Sequence, residues 1–188
     1  MKEIKQGFII FILFSIVTGL IYPAFITTIA QILWEEKANG SLIKTDRGVI
    51  GSKLIGQKFT SSQYFHGRPS AIDYKGSISG ASNLGPTNKK LFEMVEKEIK
   101  NIRTENNLSE SAKVPADLAL SSASGLDPHI SVEAALLQAG RISKVRKIEK
   151  EKIVKLINKH IEHKQLGFLG EERINVLKLN LELDNIWN

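Results

Sequence analysis

The chain has 188 residues, of which 42% are hydrophobic and 24% are charged, and it contains no cysteine. This composition excludes an intrinsically disordered chain, and the lack of cysteine excludes disulfides, thiolate metal ligands and a cysteine nucleophile. The formal net charge is +6, but in the densest basic stretch, residues 141–155, lysine and arginine alternate with glutamate, which is typical of a solvated helix face and argues against a nucleic-acid partner.

The N-terminal segment is predicted to cross a membrane as one helix. Residues 7–33 contain no charged residue, and as a helix they would extend roughly 40 Å, more than the ~30 Å hydrocarbon layer of a bilayer. Pro23 removes one backbone hydrogen bond, so we expect a kink between Gly19 and Tyr22. The alternative is a cleaved signal peptide, but the apolar run exceeds the roughly 7–15 residues usual there and no clear cleavage site follows it.

The charged residues that flank this segment predict its orientation. Lys2 and Lys5 precede the apolar run, and Glu35, Glu36 and Lys37 follow it. Because positively charged flanks stay in the cytoplasm, residues 1–6 are predicted to be cytoplasmic. Residues 34–188 are then a single soluble domain on the extracytoplasmic side, which is the periplasm in a Gram-negative cell.

This soluble domain is predicted to be α+β, with few strands and about three helices. Residues 177–184 alternate apolar and polar side chains and are the clearest strand. Hydrophobic periodicity and turn residues predict the other elements in this order: a polar connector at 38–46, a bent strand at 48–59, a long ordered loop at 76–88, a helix capped by Thr87 or Asn88 and ending near 106, a loop at 114–128, a helix starting near 131 and a helix at 149–163.

Two groups of polar residues invite a chemical interpretation. Asp127 and His129 lie near the serines of residues 121–124, which resembles part of a catalytic relay but lacks a nucleophile-elbow pattern; a turn that caps a helix is the alternative. The loop at 79–88 offers backbone N–H groups and hydroxyls before a helix start, where an anion can bind; an ordered turn or a partner surface is the alternative. We predict no catalytic residue and no metal site.

Four segments occur in order behind the apolar helix: YFHGRPSA at 64–71, SGASNLGPTN at 79–88, SGLDPHIS at 124–131, and LGE at 169–171 with NVLKLNL at 175–181. Together they resemble the C subunit of the Kdp-type potassium-transporting ATPase, and the resemblance covers essentially the whole chain. The departures are small: alanine stands at 81 and 123 where glycine is expected, and Lys89 and Val132 stand where proline is common.

The resemblance implies a non-catalytic accessory subunit of a high-affinity, ATP-driven potassium uptake complex in the bacterial cell membrane. The implied partners are a channel-like A subunit that carries the ion, a P-type ATPase B subunit and a small F peptide. The C subunit is held to stabilise this complex and to act as a catalytic chaperone that raises the ATP affinity of the B subunit. No cofactor is expected to be tightly bound, and ATP only in a transient complex with the ATPase subunit. Should nucleotide contact this chain, the candidate residues are Ser79, Gly80, Ser82, Asn83 and Gln138.

The predicted orientation leaves a question about nucleotide, because ATP is cytoplasmic and the soluble domain is predicted to lie outside. Either the effect is transmitted through the partners, or the orientation is inverted, or nucleotide binding to this subunit is not its working mode. Two other functions also stay open: a membrane-tethered hydrolase of the cell envelope, based on Asp127 and His129, and a solute-binding domain, based on the turn-rich loop and the net positive charge.

Overall fold

The computed structural model describes residues 1–46 and 48–187, and the chain divides into two compact units, Met1–Ser52 and Lys53–Asn188. The first unit consists of α1 (Lys2–Ile16), a π-helical segment (Val17–Ile21), α2 (Tyr22–Leu33), α3 (Glu35–Ala38), β1 (Leu42–Thr45) and β2 (Gly48–Ser52).

The first elements form one helical run, Lys2–Leu33, of 32 residues with no buried side chain, which is long and apolar enough to cross a membrane. Proline at 23 has no N–H to donate to the carbonyl four residues earlier. The disturbance expected between Gly19 and Tyr22 takes the form of the π-helical segment, in which the N–H of Tyr22 donates to the carbonyl of Val17, five residues back.

A short hairpin follows the apolar helix and corrects two predictions. β1 pairs antiparallel with β2, so the predicted polar connector at 38–46 contains a strand. The predicted bent strand at 48–59 is a strand only over Gly48–Ser52. Four residues are too few for a recognisable alternation, and β1 becomes a strand because its neighbour in the sequence supplies the hydrogen-bonding partner.

The second unit contains five helices and three short strands among its described residues: α4 (Lys89–Glu105), α5 (Ala116–Ala119), β3 (His129–Ile130), α6 (Val132–Arg146), α7 (Lys150–Lys159), β4 (Ile161–Glu162), β5 (Arg173–Asn175) and α8 (Val176–Trp187). The strands form an antiparallel sheet in the order β3-β5-β4. The predicted mixture of helix and strand is therefore confirmed.

The prediction of a strand at 177–184 is wrong, because this stretch lies in α8. Its alternation of leucine with polar residues imitates a strand. The buried residues of α8 are Val176, Leu177, Leu179, Asn180 and Leu183, and most of them recur at intervals of three or four residues, which is the spacing of one helix face. Leucine, lysine and glutamate also favour helix, and no β-branched residue occurs within 177–184.

Other boundaries are close to their predictions. The loop at 76–88 has no helix or strand, and Asn88 caps α4 by accepting a hydrogen bond from the N–H of Lys90. Ser131 caps α6 in the same way. The predicted loop at 114–128 contains the short α5. The helix predicted at 149–163 ends at Lys159, and the chain continues into β4.

The hydrophobic core of the second unit lies around α6, between α7, α8 and the sheet. Its largest fully buried apolar side chains are Phe65, Ile130, Ile142, Ile153, Ile157, Ile174, Leu179 and Leu183. Ala139 of α6 is fully buried, whereas Leu136 on the same helix is 38% exposed. The buried face of α6 also carries the polar residues Gln138, Arg141 and Arg146.

Candidate functional site

Polar side chains of α6 and α8 hold residues 62–66, a segment without regular secondary structure in which Phe65 is fully buried. Asn180 of α8 accepts from the N–H of Phe65 at 2.8 Å and donates to its carbonyl at 2.9 Å. Gln138 of α6 makes the same pair of bonds with His66, at 2.8 and 3.2 Å. Each amide thus replaces the strand that would otherwise satisfy these backbone groups.

Two buried arginines of α6 complete this arrangement. Arg141 donates to the carbonyls of Ser62 and Tyr64. Arg146 donates through Nε to the carbonyl of Gln63 at 2.8 Å and through Nη2 to Asp184 at 2.7 Å. Burial lowers the pKa of Arg141 below its usual value, and the nearby Glu105 opposes this shift. We call Gln138, Arg141, Arg146 and Asn180 the clamp.

Sequence reasoning missed the clamp, because it interpreted residues 141–155 as a solvated basic face. Arg141 and Arg146 are instead only 4% and 3% exposed. The signal was present: together with Gln138 and Ile142 they follow the i, i+3, i+4 spacing of a single helix face. Because three of these four residues are polar, the pattern was not interpreted as a buried helix face.

The candidate nucleotide residues fall into two groups in the structure. Ser79 and Gly80 both donate to the carbonyl of Ser124, at 3.2 and 3.0 Å, and Ser82 and Asn83 follow in the same loop. Gln138 belongs to the clamp and is 2% exposed. Its two amide atoms bond to His66, Ala134 and Arg141, while the loop at 79–83 bonds to residue 124.

The segment 124–131 joins the other three recognised segments. Its Gly125 carbonyl accepts from Ser70 at 2.7 Å, and its Asp127 accepts from Arg68 at 2.9 Å. Gly125 has φ +67°, and a Cβ there would lie 2.8 Å from the carbonyl oxygen of Gly80, so this crossing requires glycine. By contrast, the alanines at 81 and 123 do not adopt positive φ, and glycine is not needed there.

Asp127 and His129 form a charged cluster at the start of the sheet. Asp127 accepts from Arg68 and from the backbone N–H of His129 at 3.0 Å. Burial alone would raise the pKa of Asp127, but the hydrogen bonds from His129 and Arg68 outweigh it and hold this pKa at about 2. The carboxyl group is therefore ionised at any physiological pH.

The imidazole of His129 lies between two carboxylates. Its Nδ1 is 3.6 Å from Asp127, and its Nε2 is 3.4 Å from Glu162. Glu162 is also paired with Lys178 at 2.9 Å and Arg173 at 3.2 Å. Burial opposes ionisation of Glu162, yet these cations lower its pKa below the usual value.

The neighbouring serines are bonded elsewhere. The hydroxyl of Ser122 accepts from the N–H of Gly125 at 3.0 Å, and that of Ser124 accepts from the N–H of Leu126 at 3.1 Å. A catalytic relay needs one imidazole nitrogen to face a serine, whereas both nitrogens of His129 face carboxylates. The cluster therefore has the geometry of a turn that starts the sheet.

An open cleft of about 930 Å³ lies beside this cluster. Its walls combine the apolar Val114, Ile130 and Leu136 with charged groups that include Arg68 and Asp127. The outer edge of β3 forms part of the cleft, and its backbone donors are already used: the N–H groups of His129 and Ser131 bond to the carboxylates of Asp127 and Asp117. These two N–H groups are therefore not available to pair with a further strand.

Comparisons with known proteins agree with the recognised segments. A family model described as KdpC, K+-transporting ATPase, c chain, matches residues 4–185. The potassium-transporting ATPase KdpC subunit of Bacillus mycoides is 49% identical over 174 residues, which is 92% of this chain and 90% of the relative. The KdpC subunit of Caldanaerobacter subterraneus subsp. tengcongensis is 46% identical over 182 residues, 97% of this chain and 94% of the relative. That of Rhodopseudomonas palustris is 44% identical and covers 98% of each chain.

The family model covers almost the whole chain, and the relatives are matched over nearly their full lengths. This chain therefore belongs to the KdpC family, the c chain of the potassium-transporting ATPase.

Proposed function

We propose that this chain is a non-catalytic accessory subunit of a high-affinity, ATP-driven potassium uptake complex. Its partners are a channel-like A subunit, a P-type ATPase B subunit and a small F peptide. It stabilises their assembly and acts as a catalytic chaperone that raises the ATP affinity of the B subunit. The observation that carries the non-catalytic role is the arrangement of His129, whose two nitrogens lie 3.6 and 3.4 Å from carboxylates.

The orientation belongs to the same proposal: the N-terminus is cytoplasmic and the domain from residue 34 onward is extracytoplasmic. Lys2 and Lys5 on the N-terminal flank support it. The effect on ATP is then transmitted through the partners. The burial of Gln138 and its four hydrogen bonds within the domain favour this route over direct nucleotide contact.

Co-purification tests the subunit role. The full chain carries an affinity tag, membranes are solubilised in mild detergent, and we expect large channel and ATPase subunits to be recovered with it. Recovery of the chain alone would overturn the proposal. His129→Ala is the companion variant: we expect it to leave ATP hydrolysis by the recovered complex intact, whereas an envelope hydrolase would lose its own activity.

Nucleotide kinetics test the chaperone role. Complex that lacks this chain should show a several-fold higher KM for ATP, and adding the full chain back should restore it. A photoreactive ATP analogue then distinguishes an effect transmitted through the partners from direct contact of nucleotide with this chain. Labelling of the ATPase subunit alone supports transmission, and labelling of this chain within 79–83 would support direct contact instead.

The absence of cysteine makes the orientation directly measurable. Lys2→Cys and Glu110→Cys each introduce one thiol, the second at an exposed position. A membrane-impermeant maleimide applied to intact cells should label only the Glu110→Cys chain. Labelling of Lys2→Cys alone would mean that the orientation is inverted.

A further inference from the structure

The turn between β4 and β5 exposes a compact apolar patch. Leu166, Phe168 and Leu169 are 85%, 75% and 55% exposed. Gln165 and Leu169 close the turn with two backbone hydrogen bonds of 2.9 Å. Single exposed apolar residues are ordinary, but three large side chains within four residues form a contiguous patch of the kind that marks an interaction site. We call residues 165–169 the tip.

Two successive residues of the tip have positive φ, and only one of them is glycine. Leu166 has φ +53° and Gly167 has φ +82°. Glycine adopts this region freely and asparagine tolerates it, whereas the Cβ of leucine crowds the backbone there. The side chain of Leu166 does not pack in the core, and it disfavours the backbone conformation that the turn requires. Such outliers are typical of binding sites, where another interaction compensates for the strain.

The charged residues next to the tip indicate which kind of surface binds it. Lys164 pairs with Glu171 at 3.1 Å, and His163 pairs with Glu172 at 2.7 Å. The patch therefore lies beside a lysine–glutamate ion pair and a histidine–glutamate hydrogen bond, so two glutamates lie at its base. An anionic lipid surface attracts clusters of unpaired lysine and arginine, so this base does not suit a membrane. An apolar centre inside a polar rim is instead the anatomy of a protein interface.

We propose that the tip docks into an apolar pocket of another protein subunit of the potassium-transporting complex. This inference rests on the proposed function, because it takes its partner from that complex. It goes further by assigning the contact to Leu166, Phe168 and Leu169, and by describing the partner surface as an apolar pocket with a polar rim.

The first test uses the tagged full chain in detergent extracts. The double variant Leu166→Asn with Phe168→Ser removes the patch, and asparagine suits the left-handed turn, so folding is retained. We expect recovery of the other subunits to fall by about tenfold or more, the change that loss of one central contact produces. Phe92→Ser is the matched control, since Phe92 is 56% exposed on α4, and it should leave recovery unchanged.

The second test leaves the chain almost intact. A benzophenone amino acid replaces Phe168 in membranes, with the same replacement at Phe92 as the control. A crosslink from position 168 to another subunit supports the proposal. Crosslinks to lipid alone, or none, would overturn it, as would unchanged recovery of the double variant or equal losses from the tip and control variants. If the wild-type chain recovers no subunits at all, the proposed function itself has failed, which is a separate outcome.

Discussion

At the scale of single residues, the clamp explains how a segment without secondary structure can place Phe65 in the core. Asn180 pairs with both backbone groups of Phe65, and this phenylalanine is fully buried. A buried backbone group without a partner costs roughly 1 to 3 kcal/mol. One amide side chain therefore determines whether Phe65 can stay in place.

Asn180→Ala should reveal this dependence. It leaves the N–H and the carbonyl of Phe65 unpaired, so we expect the free energy of unfolding to fall by about 2 to 4 kcal/mol. The measurement is denaturant unfolding of the full chain in detergent. Asn158→Ala is the control, because Asn158 is exposed on α7 and should change little. Equal losses from both variants would mean that the clamp is not what holds residues 62–66.

The low pKa of Asp127 leads to a second prediction, about how the stability of the domain depends on pH. Its pKa is held at about 2 in the folded chain, below the ~3.9 of an unfolded aspartate. A depressed pKa means that the unfolded state binds more protons. The stabilisation is therefore complete above about pH 4 and is lost as the pH falls from 4 towards 2, and it amounts to about 2 kcal/mol.

Asp127→Asn tests the origin of this stabilisation. The amide oxygen can still accept from the N–H of His129, but the charge that pairs with Arg68 is gone. Unfolding followed from pH 6 down to pH 2 should lose part of its acid sensitivity in this variant. Glu149→Gln, which removes an exposed carboxylate that pairs with Lys152 at 3.6 Å, should keep the wild-type profile. An unchanged profile for Asp127→Asn would show that other carboxylates govern acid unfolding.

At the scale of elements, the sequence predicted those helix and turn boundaries that depend on interactions between neighbouring residues. Caps and turn residues act over three or four positions, so the starts of α4 and α6 were predicted to within a residue. α8 was not, because leucines at alternate positions fit both a strand and a helix when seen alone. The core contact of Leu179 and Leu183 decides between them, and that contact depends on elements distant in sequence.

The same reasoning applies to the candidate site. The recognised segments lie far apart in the sequence, and only the fold shows that Arg68 meets Asp127 or that Asn180 meets Phe65. Gln138 was selected by resemblance, and no pattern in the sequence indicates that both of its amide atoms bond within the core. The spacing of Gln138, Arg141 and Arg146 places them on one face of a helix, but nothing in the sequence shows which backbone groups that face meets. The partners of the clamp therefore could not be predicted from the sequence alone.

The loop that contains Gly56 approaches the loop at 126–127 closely, which leads to a prediction for a substitution at this glycine. Gly56 is buried, and its N–H donates to the carbonyl of Leu126 at 2.8 Å. A Cβ at this position would lie 2.5 Å from the carbonyl oxygen of Asp127. Gly56→Ala should therefore separate the two loops and destabilise the domain by about 1 to 3 kcal/mol.

Thermal unfolding of the full chain measures this effect. Gly85→Ala is the matched control, because a Cβ there meets nothing within 4 Å and this substitution should be neutral or slightly stabilising. A loss confined to Gly56→Ala supports the close approach. Equal melting temperatures for the two variants would contradict it.

At the scale of the whole molecule, the apolar helix and the domain have separate physical bases. The helix Lys2–Leu33 buries none of its side chains within the structure, so its apolar surface needs lipid or a partner helix. The core residues of the second unit all lie at or beyond Phe59. Folding of this unit is therefore expected to be independent of the helix, and assembly is expected to depend on it.

Removal of residues 1–34 behind an export signal separates the two roles. We expect the shortened chain to be water-soluble and to unfold cooperatively, because it keeps the whole core and the clamp. Its recovery with the other subunits should fall strongly, since a single bilayer-spanning helix confines the chain to the membrane that holds its partners and so raises their effective concentration. Unfolding without cooperativity would show that the helix supports the domain. Undiminished recovery would show that contacts of the domain alone hold this subunit in the complex.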